Sequence, residues 1–211
     1  MTGIKNSKIG NFAIFASGQG TNAIALIKKS FELSLRPAFV LVNKADSALL
    51  KTVPTYNLPC FLIETKKKGV DKEFEKEAQK LCQKFQVDWV FLAGFLKVLS
   101  EDFVNSFIAP EGHSKILNIH PSLLPKYPGL QGYKKAWENG DKLIGHTIHM
   151  VTPELDSGPI IYQREFSTRQ FKDLNDVIEK NKEQENKSYQ LVFESLVKNG
   201  VDSKTKKIPL I

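Results

Sequence analysis

The chain alternates short apolar runs with amphipathic stretches over most of its length. Residues 9–16 form a strand-like run, and Gly18-Gln-Gly-Thr-Asn22 follows at once. Residues 23–31 then read as a helix, 38–42 as a second strand and 44–50 as a short helix. The chain turns near Pro54 and Pro59, and residues 60–63 make a third short strand. Residues 71–85 carry the clearest helical period: Phe74, Ala78, Leu81, Cys82 and Phe85 share one stripe, with lysines and glutamates elsewhere. Cys82 therefore reads as a small core residue. Residues 88–93 are apolar after the first position, as in a strand covered on both faces. Ser100 is placed to cap a short helix with Glu101 and Asp102 in its first turn. Residues 115–120 make another strand, stopped by Pro121. Residues 131–139 read as a helix ending at Gly140, 146–151 and 160–163 as the last strands, and 173–199 as one long or broken helix closed by Gly200.

Such alternation predicts an α/β fold: a mainly parallel, twisted sheet with helices on both faces. A length of 211 residues fits a single domain over residues 1–211. Hydrophobic residues are 41% and charged residues 25%, an ordinary globular balance that excludes wholesale disorder. No apolar run reaches the ~18 residues of a bilayer span, and the first residues lack the pattern of a signal peptide. The two cysteines, Cys60 and Cys82, have no metal-like spacing, so neither a disulfide framework nor a zinc site is expected and a cytoplasmic setting is the simplest. The net charge of +7 suits anionic partners. Lysines are nonetheless dispersed, with small clusters only at residues 66–68 and at Lys204, Lys206 and Lys207. No basic and aromatic run suggests a nucleic-acid groove; a solvated surface that draws in anionic metabolites fits better.

Ligands of open α/β sheets sit beyond the carboxyl ends of the strands, and the unusual residues lie there. Gly18 to Asn22 join the first strand to the first helix. Glycines admit a ligand close to the backbone, and a helix N-terminus offers free N–H groups. The loop lacks the lysine of a P-loop and the acidic residue of a dinucleotide site. By itself it fits a tight structural turn as well as a phosphate cradle. Asn118 and His120 end a strand two residues apart, so they project from one face. Pro121, Pro125 and Pro128 then enforce a stiff loop, in which Leu124–Pro125 is a candidate for a cis bond. Asp156 lies in a loop with Gly158 and Pro159 and on composition reads as a turn former. Brought beside the imidazole, it would complete a set suited to acyl transfer to an amine. The amide and imidazole would stabilise an oxyanion, while the carboxylate orients the ring and helps remove a proton. No serine or cysteine nucleophile is evident.

Five segments together resemble the phosphoribosylglycinamide formyltransferase family. They are Ala16-Ser-Gly-Gln-Gly-Thr-Asn22, Leu92-Ala-Gly-Phe-Leu-Lys-Val-Leu-Ser100, Leu117-Asn-Ile-His-Pro-Ser-Leu-Leu-Pro-Lys-Tyr-Pro-Gly-Leu130, Glu138-Asn-Gly-Asp141 and His149-Met-Val-Thr-Pro-Glu-Leu-Asp-Ser-Gly-Pro159. The resemblance implies a Rossmann-like formyltransferase fold and transfer of the formyl group of 10-formyltetrahydrofolate, as co-substrate, to the amine of glycinamide ribonucleotide in purine synthesis. Position by position, Asn118, His120 and Asp156 match the catalytic trio. Gly20, Thr21 and Asn22 match the phosphate loop, and Lys182 and Glu185 fall where the last helix meets the nucleotide. Leu96, Lys97, Val98, Leu99, Thr152, Pro153, Glu154 and Leu155, with Asn118 and Asp156, match the folate-binding segments. No metal, nucleic acid or membrane is implied, and the assembly would be a monomer or homodimer.

Several positions depart from the family pattern. Thr21 replaces a common serine, and Lys97 a usual arginine, keeping charge but not the bidentate fork. Leu130-Gln-Gly-Tyr133 replaces a histidine-containing run, so the role of that loop is open. Pro110-Glu-Gly-His113 is an insertion, with His113 read as a surface-loop residue. Lys182 stands where a neutral amide is frequent. Three alternatives share parts of the pattern: a methionyl-tRNA formyltransferase, for whose RNA-binding domain the last dozen residues leave no room; a formyltetrahydrofolate hydrolase, which usually carries a further domain; and an inert folate-binding module, which would not need the trio.

Overall fold

The computed structural model describes residues 7–65, 69–202 and 204–211, so the lysine cluster at 66–68 lies outside the described residues. Seven strands join one sheet in the order β3-β2-β1-β4-β5-β6-β7. They are β1 (Asn11–Ala16), β2 (Phe39–Val42), β3 (Cys60–Leu62), β4 (Val87–Leu92), β5 (Ile116–His120), β6 (Leu143–Met150) and β7 (Ile160–Ser167). The pairings from β3 through β5 are parallel, and β6 and β7 complete the sheet antiparallel. Helices α1 (Thr21–Glu32), α2 (Leu49–Thr52), α3 (Lys72–Lys84), α4 (Glu101–Asn105), α5 (Gly132–Glu138) and α6 (Leu174–Asn199) connect or cover them.

Strand alternation sorts the core into two layers. Phe12, Ile14, Val40, Val42, Trp89, Phe91, Leu117 and Ile119 face α1 and α6, where they meet Leu26, Tyr189, Val192 and Phe193. Ala13, Phe15, Phe39, Leu41, Val90, Leu92 and Ile116 face the opposite layer, with Phe74, Ala78 and Cys82 of α3 and Phe103 of α4. Cys82 is thus a core residue, as its stripe predicts. The caps also follow the sequence: Asp71 accepts from Phe74 N–H, and Ser100 Oγ from Phe103 N–H. Leu124–Pro125 is cis.

The segment read as a helix over 44–50 needs correction. Residues 44–48 form a turn, and α2 begins only at Leu49. Ser47 Oγ donates to Gly18 O at 2.9 Å and accepts from Leu49 N–H at 3.3 Å, which ties this turn to the first loop. Leu49 fills the space beside Gly20, where a Cβ would come within 2.4 Å of its side chain. The last two strands are longer than their apolar runs, spanning 143–150 and 160–167 in continuous register apart from one bulge. β7 is the sheet edge and only partly buried, so its outward residues are polar and dilute the signal. His113 is half-buried, with its ring 6.2 Å from that of Trp89, rather than lying free on the surface loop.

His146 of β6 faces α6, fully enclosed, with Nε2 2.8 Å from Ser188 Oγ. Burial, assisted by the nearby Arg164 charge, pushes its pKa down to about 4. The ring therefore stays neutral in the folded chain at pH values where the unfolded chain, with an ordinary value near 6.5, takes up a proton. Stability supplied by the neutral ring is present above about pH 6.5 and is lost as pH falls toward 4. Between pH 7 and pH 5 this group is expected to remove about 2 kcal/mol from the unfolding free energy. Urea denaturation at the two pH values checks it: His146→Gln should shrink the difference by that amount, and an unchanged difference would count against the assignment.

Candidate active site

The strand order reverses beside β1, where β2 lies on one side and β4 on the other. A cavity of about 510 Å³ opens at the carboxyl ends of β1, β4 and β5, as expected at such a switch point. Two glycine-containing loops define its inner wall. Ser17 N–H donates to Gly94 O at 3.3 Å, and Ser17 Oγ accepts from Leu96 N–H at 2.8 Å. The loop after β1 is thereby stitched to the loop after β4, which carries Leu96 to Leu99 along the cavity. Leu96, Val98, Leu130 and Leu155 are exposed apolar residues concentrated on this lining.

At the polar end, Asn118 and His120 share the face of β5 that Ile116 occupies deeper in the sheet. Opposite Asn118 in the antiparallel register stands His149. The Asn118 amide nitrogen lies 3.1 Å from His149 Nε2, and His149 Nδ1 lies 3.0 Å from the Met150 carbonyl. A carbonyl only accepts, so Nδ1 carries the proton and Nε2 accepts from Asn118. Asp156 closes the group. Its Oδ2 is 3.4 Å from His120 Nδ1, its Oδ1 is 3.6 Å from His149 Nε2, and Gly129 N–H donates to Oδ2 at 2.7 Å. The loop that brings it there has two backbone requirements: φ is 51° at Asp156, and a Cβ at Gly158 would lie 1.8 Å from Met150 O.

The electrostatics follow from burial and partners. Burial pushes the Asp156 carboxyl up, but the Gly129 N–H and the charge of the flanking imidazoles when they are protonated outweigh it, leaving its pKa below the usual carboxylate value. Asp156 is thus an ionised acceptor inside the cluster. Burial lowers the His120 pKa, opposed by the Tyr127 carbonyl and by Asp156. His120 Nε2 lies 3.0 Å from Tyr127 O, so the neutral ring carries its proton there and directs the Nδ1 lone pair toward Asp156. A second proton taken up at Nδ1 would be shared with the carboxylate. The pair is built to accept a proton and hold it. The proline loop keeps this geometry: Ser122 Oγ donates to Lys126 O at 2.7 Å, Leu124 N–H donates to Thr147 Oγ1 at 3.1 Å, and Gln163 Nε2 donates to Leu124 O at 2.7 Å.

The other predicted residues divide. Asn22, Leu96, Lys97, Val98, Leu99, Thr152, Pro153, Leu155 and Glu185 line the cavity. Gly20 and Thr21 stand just outside, at the N-terminus of α1, where Gly20 has φ 76° and no side chain caps the helix. Glu154 is exposed and does not line the cavity, and Lys182 is paired with Glu179 at 2.6 Å rather than brought to the cavity. Two residues escaped the sequence reading. His149 begins the matched run 149–159 without a role of its own in the sequence, although its place in the strand beside β5 is the available signal. Tyr133 donates to Glu185 Oε1 at 2.6 Å, a contact across elements that no local pattern announces.

Residues 10–193 match the family model described as formyl transferase. The phosphoribosylglycinamide formyltransferase of Haemophilus influenzae is 36% identical over 183 residues, covering 86% of this chain and 84% of its own. The trifunctional purine biosynthetic protein adenosine-3 of Gallus gallus is 34% identical over 200 residues; the match covers 94% of this chain but only 19% of that longer protein. Among solved structures, glycinamide ribonucleotide transformylase 1 from Symbiobacterium toebii superposes with a TM-score of 0.84 at 26% identity, over 97% of this chain and 95% of that one.

The carboxylate raises the proton affinity of the neighbouring ring, so Asp156→Asn should lower the His120 pKa further. Following the His120 Cε1–H resonance through a pH titration tests this. An unchanged or higher midpoint in the variant would contradict the pairing.

Proposed function

The chain belongs to the phosphoribosylglycinamide formyltransferase family, and we propose that its cavity moves a formyl group from 10-formyltetrahydrofolate to the amine of glycinamide ribonucleotide. The observation that carries the reading is the convergence of Asn118, His120, His149 and Asp156 at the polar end of a mostly apolar cavity. The donor supplies an activated formyl carbon, and the remaining chemistry falls to side chains. The Asn118 amide and the protonated His120 ring stabilise the oxygen charge as the amine adds. One proton leaves the amine and one is gained by the donor nitrogen as its bond to the formyl carbon breaks. Asp156, through water, and His120 are the groups that carry this proton. Separations of 3.4 and 3.6 Å are longer than formed hydrogen bonds, so a small movement of the carboxylate would close them.

The uncapped N-terminus of α1 with Gly20, Thr21 and Asn22 supports a phosphate site, because free N–H groups and the helix dipole favour an anion there. Asn22 also keeps an unpartnered, buried Oδ1. Glu185, within hydrogen-bonding distance of Asn22, would meet the rest of the ribonucleotide. The exposed apolar side chains of Leu96, Val98 and Leu155 on the cavity lining fit the folate ring system, and Lys97 its acidic tail. Small-molecule partners and a cytoplasmic setting belong to the same proposal.

Deformylation of a 10-formylfolate analogue, followed by absorbance, is expected to depend strictly on glycinamide ribonucleotide. Equal rates without that acceptor would favour a hydrolase, and no rate in either case an inert binder. His120→Ala and Asp156→Asn should each depress turnover on the order of a hundredfold while the chain stays folded; near-normal turnover in both purified variants would refute the roles assigned. Thr21→Ala with Asn22→Ala should weaken ribonucleotide binding more than folate binding in calorimetric titrations, and equal losses would count against the phosphate site.

A further inference from the structure

The Glu185 carboxylate sits at the cavity wall between three helices, and its partners are unequal. Tyr133 O–H of α5 donates to Oε1 at 2.6 Å, and Asn22 Nδ2 of α1 donates to Oε2 at 3.1 Å. A carboxylate has about four acceptor positions, so these two contacts leave lone pairs on both oxygens for a ligand. Tyr133 is itself anchored. Its ring is buried with Ala136 of its own helix, Ile144 of β6 and Val177 of α6, and only its hydroxyl reaches the polar side. The start of α5 is equally constrained. Gln131 adopts φ 64°, and Gly132 presses so close to the β5 exit that a Cβ would lie 2.4 Å from Pro121 O. The residue after His120 therefore sets where α5 begins, and α5 sets where the phenol points.

We propose that Tyr133 is a positioning residue for the acceptor substrate: its hydroxyl holds the Glu185 carboxylate in the orientation that leaves acceptor positions facing the cavity for the sugar hydroxyls of the ribonucleotide. The proposal rests on the reading of this cavity as a ribonucleotide site and gives the 130–133 run a role within it. Burial pushes the Glu185 pKa up, while Tyr133, Asn22 and the Lys182 charge one turn away on α6 act to lower it. Burial and the Glu185 charge hold the phenol well above its ordinary range, so it remains a donor throughout the working pH. Without the hydroxyl, Oε1 loses its strongest partner and the carboxyl protonates at higher pH. A protonated carboxyl presents fewer acceptors.

Tyr133→Phe keeps the ring in its apolar seat and removes only the donor. It is expected to raise KM for glycinamide ribonucleotide about tenfold, with kcat and KM for the formyl donor changing less than about twofold. The KM increase should grow as pH is lowered from 8 to 6, and more steeply than any change in the wild type over the same range. In a double-mutant cycle with Glu185→Gln the two losses should be strongly non-additive. Wild-type transfer to the ribonucleotide with an unaltered KM in Tyr133→Phe would overturn this inference alone. Equal losses for donor and acceptor, or additive losses in the cycle, would do the same by marking a structural role. Failure of the wild type to bind the ribonucleotide would instead overturn the function proposed above.

Discussion

One ionised carboxylate enclosed between two imidazoles is the constraint around which this molecule is arranged. Asp156 is mostly buried, and burial alone would favour its neutral form. It stays charged because the Gly129 N–H donates to it, and the flanking His120 and His149 rings offset its charge when they are protonated. Each comes from a different part of the chain, so the charge is tolerable only when the proline loop, the end of β5, the end of β6 and the Asp156 turn are all in place. The fold and the reactive centre are therefore not separable: the sheet order brings β5 and β6 together, and their antiparallel register sets His149 opposite Asn118.

The antiparallel strands serve this purpose. A purely parallel sheet would end at β5 with its functional residues at an edge. Here β6 and β7 cover that edge, β6 supplies His149, and the turn between them supplies Asp156. Glycine is required where this arrangement is tightest, at Gly132 against Pro121 O and at Gly158 against Met150 O. The apolar residues between Leu96 and Leu99 and Asn22 in the first turn of α1 line the same cavity as the charged centre, which suits two substrates that must meet within it.

Much of this was legible in the sequence. Short apolar runs located the seven strands of the sheet, and Asp71 and Ser100 marked helix starts that the structure keeps. Asn118 and His120 were readable because alternation alone puts them on one face. Asp156 was not readable from its own neighbourhood, since a turn-forming aspartate and a buried acceptor look alike until the chain closes; only the family resemblance singled it out. The 44–50 segment misled because its residues have helical propensity, while Ser47 is committed to a long-range bond with Gly18 O. The Tyr133–Glu185 contact joins α5 to α6 across 52 positions. No local pattern can encode such a pair.

Where the reacting atoms meet is decided by a crystal structure with glycinamide ribonucleotide and a non-transferring 10-formylfolate analogue. The analogue's carbonyl oxygen is expected within hydrogen-bond reach of Asn118 and His120, with the amine about 3–3.5 Å from the carbonyl carbon and Asp156 on the amine side. A carbonyl seated away from these side chains, with Asp156 still enclosed and untouched, would contradict it.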